Sequence, residues 1–341
     1  MRSSFRPTVL LGLSFCASSA LFVANRLPVA TAADSKGIAA ITLEEAKKDS
    51  DFAIQGEYAG ELGDQDGKQP WGLQVIALGD GKFHAVAFRG GLPGEGWDRS
   101  DKVEVDGSVS GTAATFKGER GTAVVNDGVA KIATPDGNSL GELKKVERKS
   151  TTMGKKPPAG AVVLFDGKNG DAFTDPKKFA DGLLSQGITT TQKFQDFSLH
   201  LEFLLSYMPA GRGQGRANSG CYMQGRYEVQ ILDSFGLAGE HNECGGIYTI
   251  KKPDLNMCLP PLTWQTYDAD YTAAKFDGDK KKTSNAKLTV RHNGVLIHEN
   301  VELPKGTTAA PVAEGPEPGP IYIQDHGNPI RFRNIWLVEK K

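Results

Sequence analysis

The sequence lacks a charge imbalance, and beyond its first residues it lacks long apolar runs. Its 341 residues contain 40 Lys and Arg against 41 Asp and Glu, which leaves a formal net charge of -1. Without a basic excess, the chain has little electrostatic attraction for phosphate backbones, so no nucleic-acid partner is expected. No stretch after residue 33 reaches the roughly 18 apolar residues of a membrane-spanning helix. We therefore expect no membrane span once the N-terminal segment is removed.

Motifs of several enzyme and metal-site classes are also missing. The sequence contains neither a P-loop nor a His-Glu-x-x-His pair, and its four cysteines include no Cys-x-x-Cys spacing. The glycine-rich residues 211–216 lack the strand-to-helix context of a phosphate-binding loop, so we interpret them as a flexible loop. His241 and Glu243, close to Cys244, leave a metal site open as an alternative to an ordinary polar loop.

The N-terminus has the composition of a secretory signal peptide. Arg2 and Arg6 form a basic start, residues 8–24 are mostly apolar or small, and residues 30–33 supply the small side chains that a signal peptidase requires. We therefore predict a signal peptide over residues 1–33 and a periplasmic or secreted mature protein.

Export would place the cysteines in an oxidising compartment, where disulfides form. Removal of Cys16 with the signal leaves three cysteines. Cys244 and Cys258 flank a proline-containing stretch and are the predicted disulfide. Cys221 lies inside an apparent strand and is predicted to be buried and free.

The first half of the mature chain reads as short strands separated by glycine-containing turns. Residues 73–78 and 82–88 are apolar runs on either side of Gly79-Asp80-Gly81, which predicts a hairpin. Further short apolar runs follow, and we predict a small antiparallel β-domain over residues 34–148, with no role assigned to it. Before these strands, residues 41–50 predict one short helix, with Thr42 as N-cap.

The second half alternates more strongly. Residues 149–160 are polar, contain two adjacent prolines and predict a linker. Beyond them, apolar side chains occupy every second position from Phe197 to Leu205, and Asn293-Gly294 predicts a tight hairpin turn. Many short strands without a convincing βαβ unit favour an all-β sandwich or jelly roll over residues 161–341.

Alternation also sorts the polar residues, because successive side chains of a strand point to opposite faces. If the apolar positions face the core, one set of polar residues points away from it: His200, Glu202, Glu228, Gln230, Tyr322, Gln324, His326, Arg331 and Arg333. Such a set is either an ordinary polar outer face or a functional groove, and alternation alone leaves both open.

An ordered series of short phrases in the C-terminal part resembles a known family. The phrases are VLFDGKN (163–169), ANSG (217–220), YEVQILDS (227–234), CGGIY (244–248), WQTYD (264–268), IQDHG (323–327) and RFRNI (331–335). Together they are similar to the 3-keto-disaccharide hydrolase family, in particular to its planctomycete-type members, over about residues 161–339. The resemblance implies a concanavalin-like jelly-roll sandwich acting on glycosides that carry a ketone at C3.

The resemblance also implies chemistry for particular residues. A C3 ketone acidifies the C2 hydrogen, so a base can form an enolate that expels the group at C1 before water adds. Glu228 or His326 suits the base, and Arg331 with Arg333 suits a clamp on the C3 oxygen, with a divalent metal as the alternative. Residues suited to binding the sugar are Asn218, Gln230, Tyr248 and Gln324. Lyase and net hydrolase action both remain open, and the rival function is a non-catalytic carbohydrate-binding module.

Overall fold

The computed structural model describes residues 37–64, 67–100 and 102–340. The predicted signal peptide, residues 1–33, lies outside the described residues. The described residues belong to one compact unit and are nearly all β, with every strand pairing antiparallel. This confirms the predicted all-β class. None of the helices in these ranges is both long and apolar enough to cross a membrane.

The N-terminal helix is shorter than predicted. Residues 41–50 hold only α1 (Leu43–Ala46), and α2 (Asp51–Ile54) follows after a turn. The expected cap is present, because Thr42 accepts from the backbone N–H of Glu45 while the Glu45 side chain accepts from Thr42. Between the two helices the Asp49 side chain stabilises a turn, accepting from the backbone N–H of Asp51 at 3.0 Å.

The first eight strands form a closed antiparallel barrel in which each strand pairs with the next and the last pairs with the first. The predicted hairpin around Gly79-Asp80-Gly81 joins its second and third strands. The strands are β1 (Gly56–Asp64), β2 (Gly67–Gly79), β3 (Lys82–Arg89), β4 (Lys102–Ser110), β5 (Ala113–Gly118), β6 (Gly121–Asn126), β7 (Val129–Ala133) and β8 (Ser139–Val146).

The remaining strands form two main sheets and a small hairpin. The larger sheet has the order β10-β11-β22-β13-β16-β19-β20, with β9 also paired to β22, and the smaller has the order β12-β21-β14-β15. The strands are β9 (Val162–Phe165), β10 (Phe179–Ala180), β11 (Leu183–Ser185), β12 (Ile188–Thr189), β13 (Phe197–Leu204), β14 (Ser219–Met223), β15 (Tyr227–Ile231), β16 (Trp264–Thr272), β17 (Lys275–Phe276), β18 (Lys282–Ser284), β19 (Ala286–His292), β20 (Val295–Leu303), β21 (Tyr322–Ile323) and β22 (Arg331–Glu339).

The two main sheets share one hydrophobic core. Phe203 and Phe332 from the larger sheet and Val229 and Ile323 from the smaller sheet are fully buried in the same cluster. Each sheet therefore has one face towards the core and one outer face. Polar residues that alternate with core residues lie on the outer face of their own sheet, so residues from the two sheets lie on opposite sides of the sandwich. This separation decides which predicted residues can meet.

The predicted turn at Asn293-Gly294 is confirmed. Both residues have positive φ, 53° and 84°, and they connect β19 to β20 with His292 paired to Val295. Two consecutive positive φ values are the geometry of the tight turn that asparagine followed by glycine favours.

The segment predicted as a linker packs against the larger sheet. The Ser150 hydroxyl lies 2.6 Å from that of Thr266, and the N–H of Gly154 donates to Oε1 of Glu202 at 2.6 Å. Barrel and sandwich also touch directly, since Ile76 on the outside of the barrel joins the sandwich core. Residues 149–160 are thus held against the larger sheet by these hydrogen bonds.

Candidate active site on the four-stranded sheet

Glu228 lies in β15 among polar residues of the smaller sheet. Tyr227 and Val229 belong to the core cluster, so Glu228 points out of that core. Tyr222 lies opposite Glu228 in β14, and its hydroxyl donates a 2.7 Å hydrogen bond to Oε2 of Glu228. Gln324, which follows β21, donates in turn to the Tyr222 hydroxyl at 3.1 Å. Strands β14 and β15 and the residue after β21 therefore form one hydrogen-bonded chain that ends on a carboxyl group.

The carboxyl group of Glu228 has an unusual acidity. Only 2% of the residue is exposed. Burial raises the pKa of Glu228 to about 8, while the hydrogen bond from Tyr222 acts in the opposite direction. A carboxyl group with a pKa close to neutral is suited to accepting and returning a proton at physiological pH.

Gly220 makes room for this carboxyl group. It lies in β14, paired with Gln230 and two residues from Tyr222 on the same face of the strand. A methyl group on Gly220 would overlap Oε1 of Glu228. Glycine is therefore required at this position, because the Glu228 side chain leaves no room for a Cβ atom.

Amide side chains extend the polar face beyond Glu228. Gln230 and Asn218 both contact Oε1 of Gln214, at 2.9 and 3.0 Å. With its amide turned over, Gln230 instead donates to Oε1 of Glu228 at 3.1 Å and to the carbonyl of Ser219 at 2.8 Å. Oδ1 of Asn218 is buried and has no hydrogen-bond partner among the residues described. It is a buried acceptor whose hydrogen-bonding capacity is unused by these residues.

Two tyrosines near Glu228 lie at the solvent-exposed edge of the site. The ring of Tyr322 lies 5.2 Å from that of Tyr222, and the backbone N–H of Tyr248 donates to the carbonyl of Glu228 at 3.1 Å. Burial raises the pKa of both Tyr248 and Tyr322, and the charge of Glu228 raises it further. Both tyrosines are half-buried, as is Gln324, so the site borders solvent at these residues.

His326 lies in the loop that follows β21. It comes two residues after Gln324, whose N–H donates to the carbonyl of Gly220, and two before Asn328, which accepts from the N–H of Asn218 at 2.9 Å. The His326 side chain is half-buried, and its Nδ1 is buried without a hydrogen-bond partner in the described part of the chain. The loop thus holds a histidine beside the same sheet as Glu228.

A sequence model of the 3-keto-alpha-glucoside-1,2-lyase-like domain matches residues 160–338, which include both main sheets. The chain belongs to this family. The match confirms the family resemblance found in the sequence, and it leaves the barrel outside.

Two crystal structures from Parabacteroides distasonis ATCC 8503, each of a candidate glycosyl hydrolase, are also similar to this chain. One, at 2.13 Å resolution, is 35% identical, with 54% of this chain and 85% of that chain covered and a TM-score of 0.49. The other, at 1.70 Å resolution, is 18% identical, with 53% of this chain and 94% of that chain covered and a TM-score of 0.40.

The two arginines predicted to join Glu228 lie in the other sheet of the family domain. Arg331 and Arg333 belong to β22, on the outer face of the larger sheet. Nε of Arg333 donates to Oε2 of Glu202 at 2.6 Å, and its guanidinium lies 3.9 Å from the centre of the Trp264 ring. The prediction that these arginines share a groove with Glu228 is therefore wrong, because Phe332 between them faces the shared core.

The predicted disulfide is not formed either. Cys244 and Cys258, like Cys221, are buried free thiols. Burial raises the pKa of Cys258, and the neighbouring Cys244 thiol raises it further. The Cys244 sulfur also lies 3.2 Å from the Tyr267 hydroxyl. The two thiols are thus neighbours without a bond between them, and Cys221 is free as predicted.

The loop that carries His241 is a polar loop. Within residues 37–64, 67–100 and 102–340, no three His, Cys, Asp or Glu side chains are arranged to hold a metal ion. Glu243 instead caps its own loop, accepting from the N–H groups of Gly239 and Glu240 at 2.7 and 2.9 Å. The Glu243 carboxylate is thus engaged in hydrogen bonds within its own loop.

Two residues of the site were missing from the sequence analysis. Tyr222 and Gly220 belong to β14, whose five residues alternate weakly because only Cys221 and Met223 mark its core face. The signal was present nonetheless, since Gly220 and Tyr222 are the positions between core residues of that strand.

Proposed function

We propose that the protein is an exported enzyme that cleaves 3-keto-glycosides, with Glu228 as the base that removes the C2 proton. The observation that carries the proposal is a buried carboxyl group with a raised pKa, surrounded by tyrosines and amides, within a domain of the 3-keto-alpha-glucoside-1,2-lyase-like family. The side chains around Glu228 are polar enough to bind sugar hydroxyl groups, and the carboxyl group supplies the proton transfer.

The reaction begins with the ionised carboxylate of Glu228. It takes the C2 proton, and the electron pair of the C–H bond forms an enolate with the C3 ketone. The enolate collapses to form a C1=C2 double bond as the C1–O bond breaks, and the leaving group departs with the electron pair of the C1–O bond and gains a proton. Water then adds to the unsaturated product, with its hydroxyl at C1 and its hydrogen at C2. A base whose pKa lies near the working pH is best suited to both proton transfers.

Hydroxyl and amide donors on the same face replace the arginines as stabilisers of the enolate. Tyr248 and Tyr322 are half-buried neighbours of Glu228, and Gln324 is linked to it through Tyr222. Neutral donors aimed at a developing negative charge stabilise it most where water is excluded. His326, with a buried and unpartnered Nδ1, is the proposed proton donor to the leaving group.

The test uses the purified protein with a 3-keto-glucoside in D2O. Release of the leaving group is followed by chromatography, and deuterium at C2 of the product is followed by mass spectrometry and NMR. Elimination followed by hydration places solvent deuterium at C2, whereas direct hydrolysis does not. A sample without protein corrects for spontaneous exchange next to the ketone, and Glu228→Gln is the matched variant.

The outcomes separate the proposed reaction from its alternatives. Release with C2 deuterium that depends on Glu228 supports the lyase sequence, and release without deuterium supports net hydrolysis. Saturable sugar binding without any release supports the carbohydrate-binding module, for which the half-buried rings of Tyr248 and Tyr322 would be suitable contacts.

A further inference from the structure

The interior of the eight-stranded barrel contains a cavity of about 210 Å3. Protein cores have few voids larger than a water molecule, and an apolar cavity of about 150 Å3 is sufficient to bind benzene. The lining is almost entirely apolar, and Arg120 is the only charged residue in it within the described ranges. The barrel therefore has room for a small organic molecule.

Small residues at inward-facing positions create this space. An eight-stranded barrel is just wide enough for side chains to fill it or for one small ligand to occupy it. Here the inward positions of β3 and β6 include Ala85, Ala87 and Ala123, and Gly118 and Gly121 lie where β5 turns into β6. Larger side chains at these positions would fill the barrel.

The cavity is closed at one end of the barrel and open at the other. At the closed end, Tyr58 near the start of β1 and Phe83 near the start of β3 are fully buried. At the opposite end, Val103 and Leu140 line the cavity at the starts of their strands and Trp71 lines it in the first half of β2, and all three are only half-buried. Inward-facing apolar side chains that remain half-exposed indicate an open mouth.

Arg120 supplies a positive charge at this mouth. It lies in the turn between β5 and β6, it is exposed, and it lines the cavity. It forms no salt bridge with any residue that the structure describes. An apolar chamber with one cationic group at its opening is complementary to a molecule with an apolar body and one anionic end.

From this arrangement we infer that the barrel binds a small anionic amphiphile, a medium-chain monocarboxylate, with its chain inside the barrel and its carboxylate at Arg120. Scaled from the benzene cavity, the volume accommodates roughly eight carbons. This site lies outside the residues matched by the family domain, and it does not depend on the proposed reaction at Glu228.

The experiment measures binding of octanoate to the full-length mature protein by isothermal titration calorimetry. A series from butanoate to dodecanoate tests whether the cavity accepts only a limited chain length. Octanol, which has no charge, tests whether the ligand must carry an anionic group. Ala123→Leu fills the cavity, while Val124→Leu enlarges the adjacent side chain, which is 38% exposed on the outside of the barrel. Arg120→Gln removes the charge. Urea unfolding of each variant verifies that it is folded.

We expect octanoate to bind at one site, with affinity rising roughly fourfold per methylene up to the chain length that fills the cavity and then levelling off. Ala123→Leu should weaken octanoate at least tenfold, and Val124→Leu should leave it unchanged. Arg120→Gln should weaken octanoate roughly threefold without affecting octanol, since the charge pair is exposed. Absence of saturable octanoate binding to the unmodified protein overturns the inference, as does equal binding by folded Ala123→Leu. Octanol that binds as tightly as octanoate overturns the assignment of an anion.

Discussion

The hydroxyl of Tyr222 donates a 2.7 Å hydrogen bond to Oε2 of Glu228, and both residues are almost completely buried. Two opposing effects therefore act on one carboxyl group. Burial disfavours the carboxylate and raises its pKa to about 8, and the hydrogen bond favours the carboxylate and limits that rise. The balance leaves a group that is mostly protonated at pH 7 yet ionises within reach of neutral pH.

Replacing Glu228 by Gln is the most direct test of the base. The amide keeps the size of the side chain and can accept the hydrogen bond from Tyr222, but it cannot accept the C2 proton. We expect kcat to fall by about 10²–10⁴-fold, with substrate binding nearly unchanged. Steady-state kinetics and calorimetry with a 3-keto-glucoside measure the two effects. Glu339→Gln, an exposed carboxylate at the end of β22, is the control, and a fully active Glu228→Gln would leave His326 as the base.

The pH dependence of the reaction should report the same group. Because the base acts when ionised, kcat/KM should rise with pH, bend near pH 8 and level off above it. Tyr222→Phe removes a hydrogen bond that lowers the pKa of Glu228, so the bend should move to higher pH. Measurements of kcat/KM between pH 5 and 10 test this shift. A bend that stays in place, or moves to lower pH, would show that Tyr222 does not act through Glu228.

Gly220 offers a test that removes no polar group from the site. In Gly220→Ala the new methyl group would overlap Oε1 of Glu228 and displace the carboxyl group from its hydrogen bonds. We expect a loss of at least tenfold in kcat/KM, since misplacement by about 1 Å is costly in catalysis. Gly215→Ala is the matched control, because a methyl group there meets nothing within 4 Å. Equal activity of the two variants would contradict the close approach described above.

Alternation along a strand predicted the central residues of the site, but it could not predict which other residues join them. Glu228 and Gln230 were identified because β15 places Tyr227, Val229 and Ile231 in the core. The same rule placed Arg331 and Arg333 outside the core correctly, yet it could not show which sheet they joined. Alternation assigns a side of one strand, whereas the pairing of β22 with β13 depends on contacts between residues about 130 positions apart, such as Glu202 and Arg333.

The Cys244–Cys258 pair also shows that local sequence does not determine how two side chains are oriented towards each other. Their positions around a proline-containing loop predicted proximity, and the thiols do interact. Whether two nearby thiols form a bond depends on the direction of each side chain, which loop composition does not specify.

The barrel is a further case, because glycine-separated strands predicted its small antiparallel β-domain but not that its first and last strands would close the sheet.

Arg333 should stabilise the fold without serving the reaction. Glu202 is buried, which by itself opposes ionisation, but the His200 ring 3.7 Å away and hydrogen bonds from Asn334 and Arg333 outweigh this effect and hold the pKa of Glu202 at about 2. Its folded pKa is below the ordinary value of 4.5, so its contribution to stability is fully present above about pH 4.5. That contribution is lost as the pH falls towards 2.

Arg333→Ala should therefore lower the free energy of unfolding by about 1–3 kcal/mol at pH 7, where Glu202 loses a charged partner, and by less near pH 2. Urea unfolding at the two pH values measures the difference. Arg331→Ala is the control on the same strand, because the Arg331 side chain makes only a 3.5 Å contact with Ser185 and a bond to the Ile330 carbonyl. Since Arg333 lies on the outer face opposite to Glu228, kcat should remain within about twofold once the protein is folded. A large fall in kcat with unchanged stability would instead assign Arg333 to the reaction, and the separation of the two faces would then have to be abandoned.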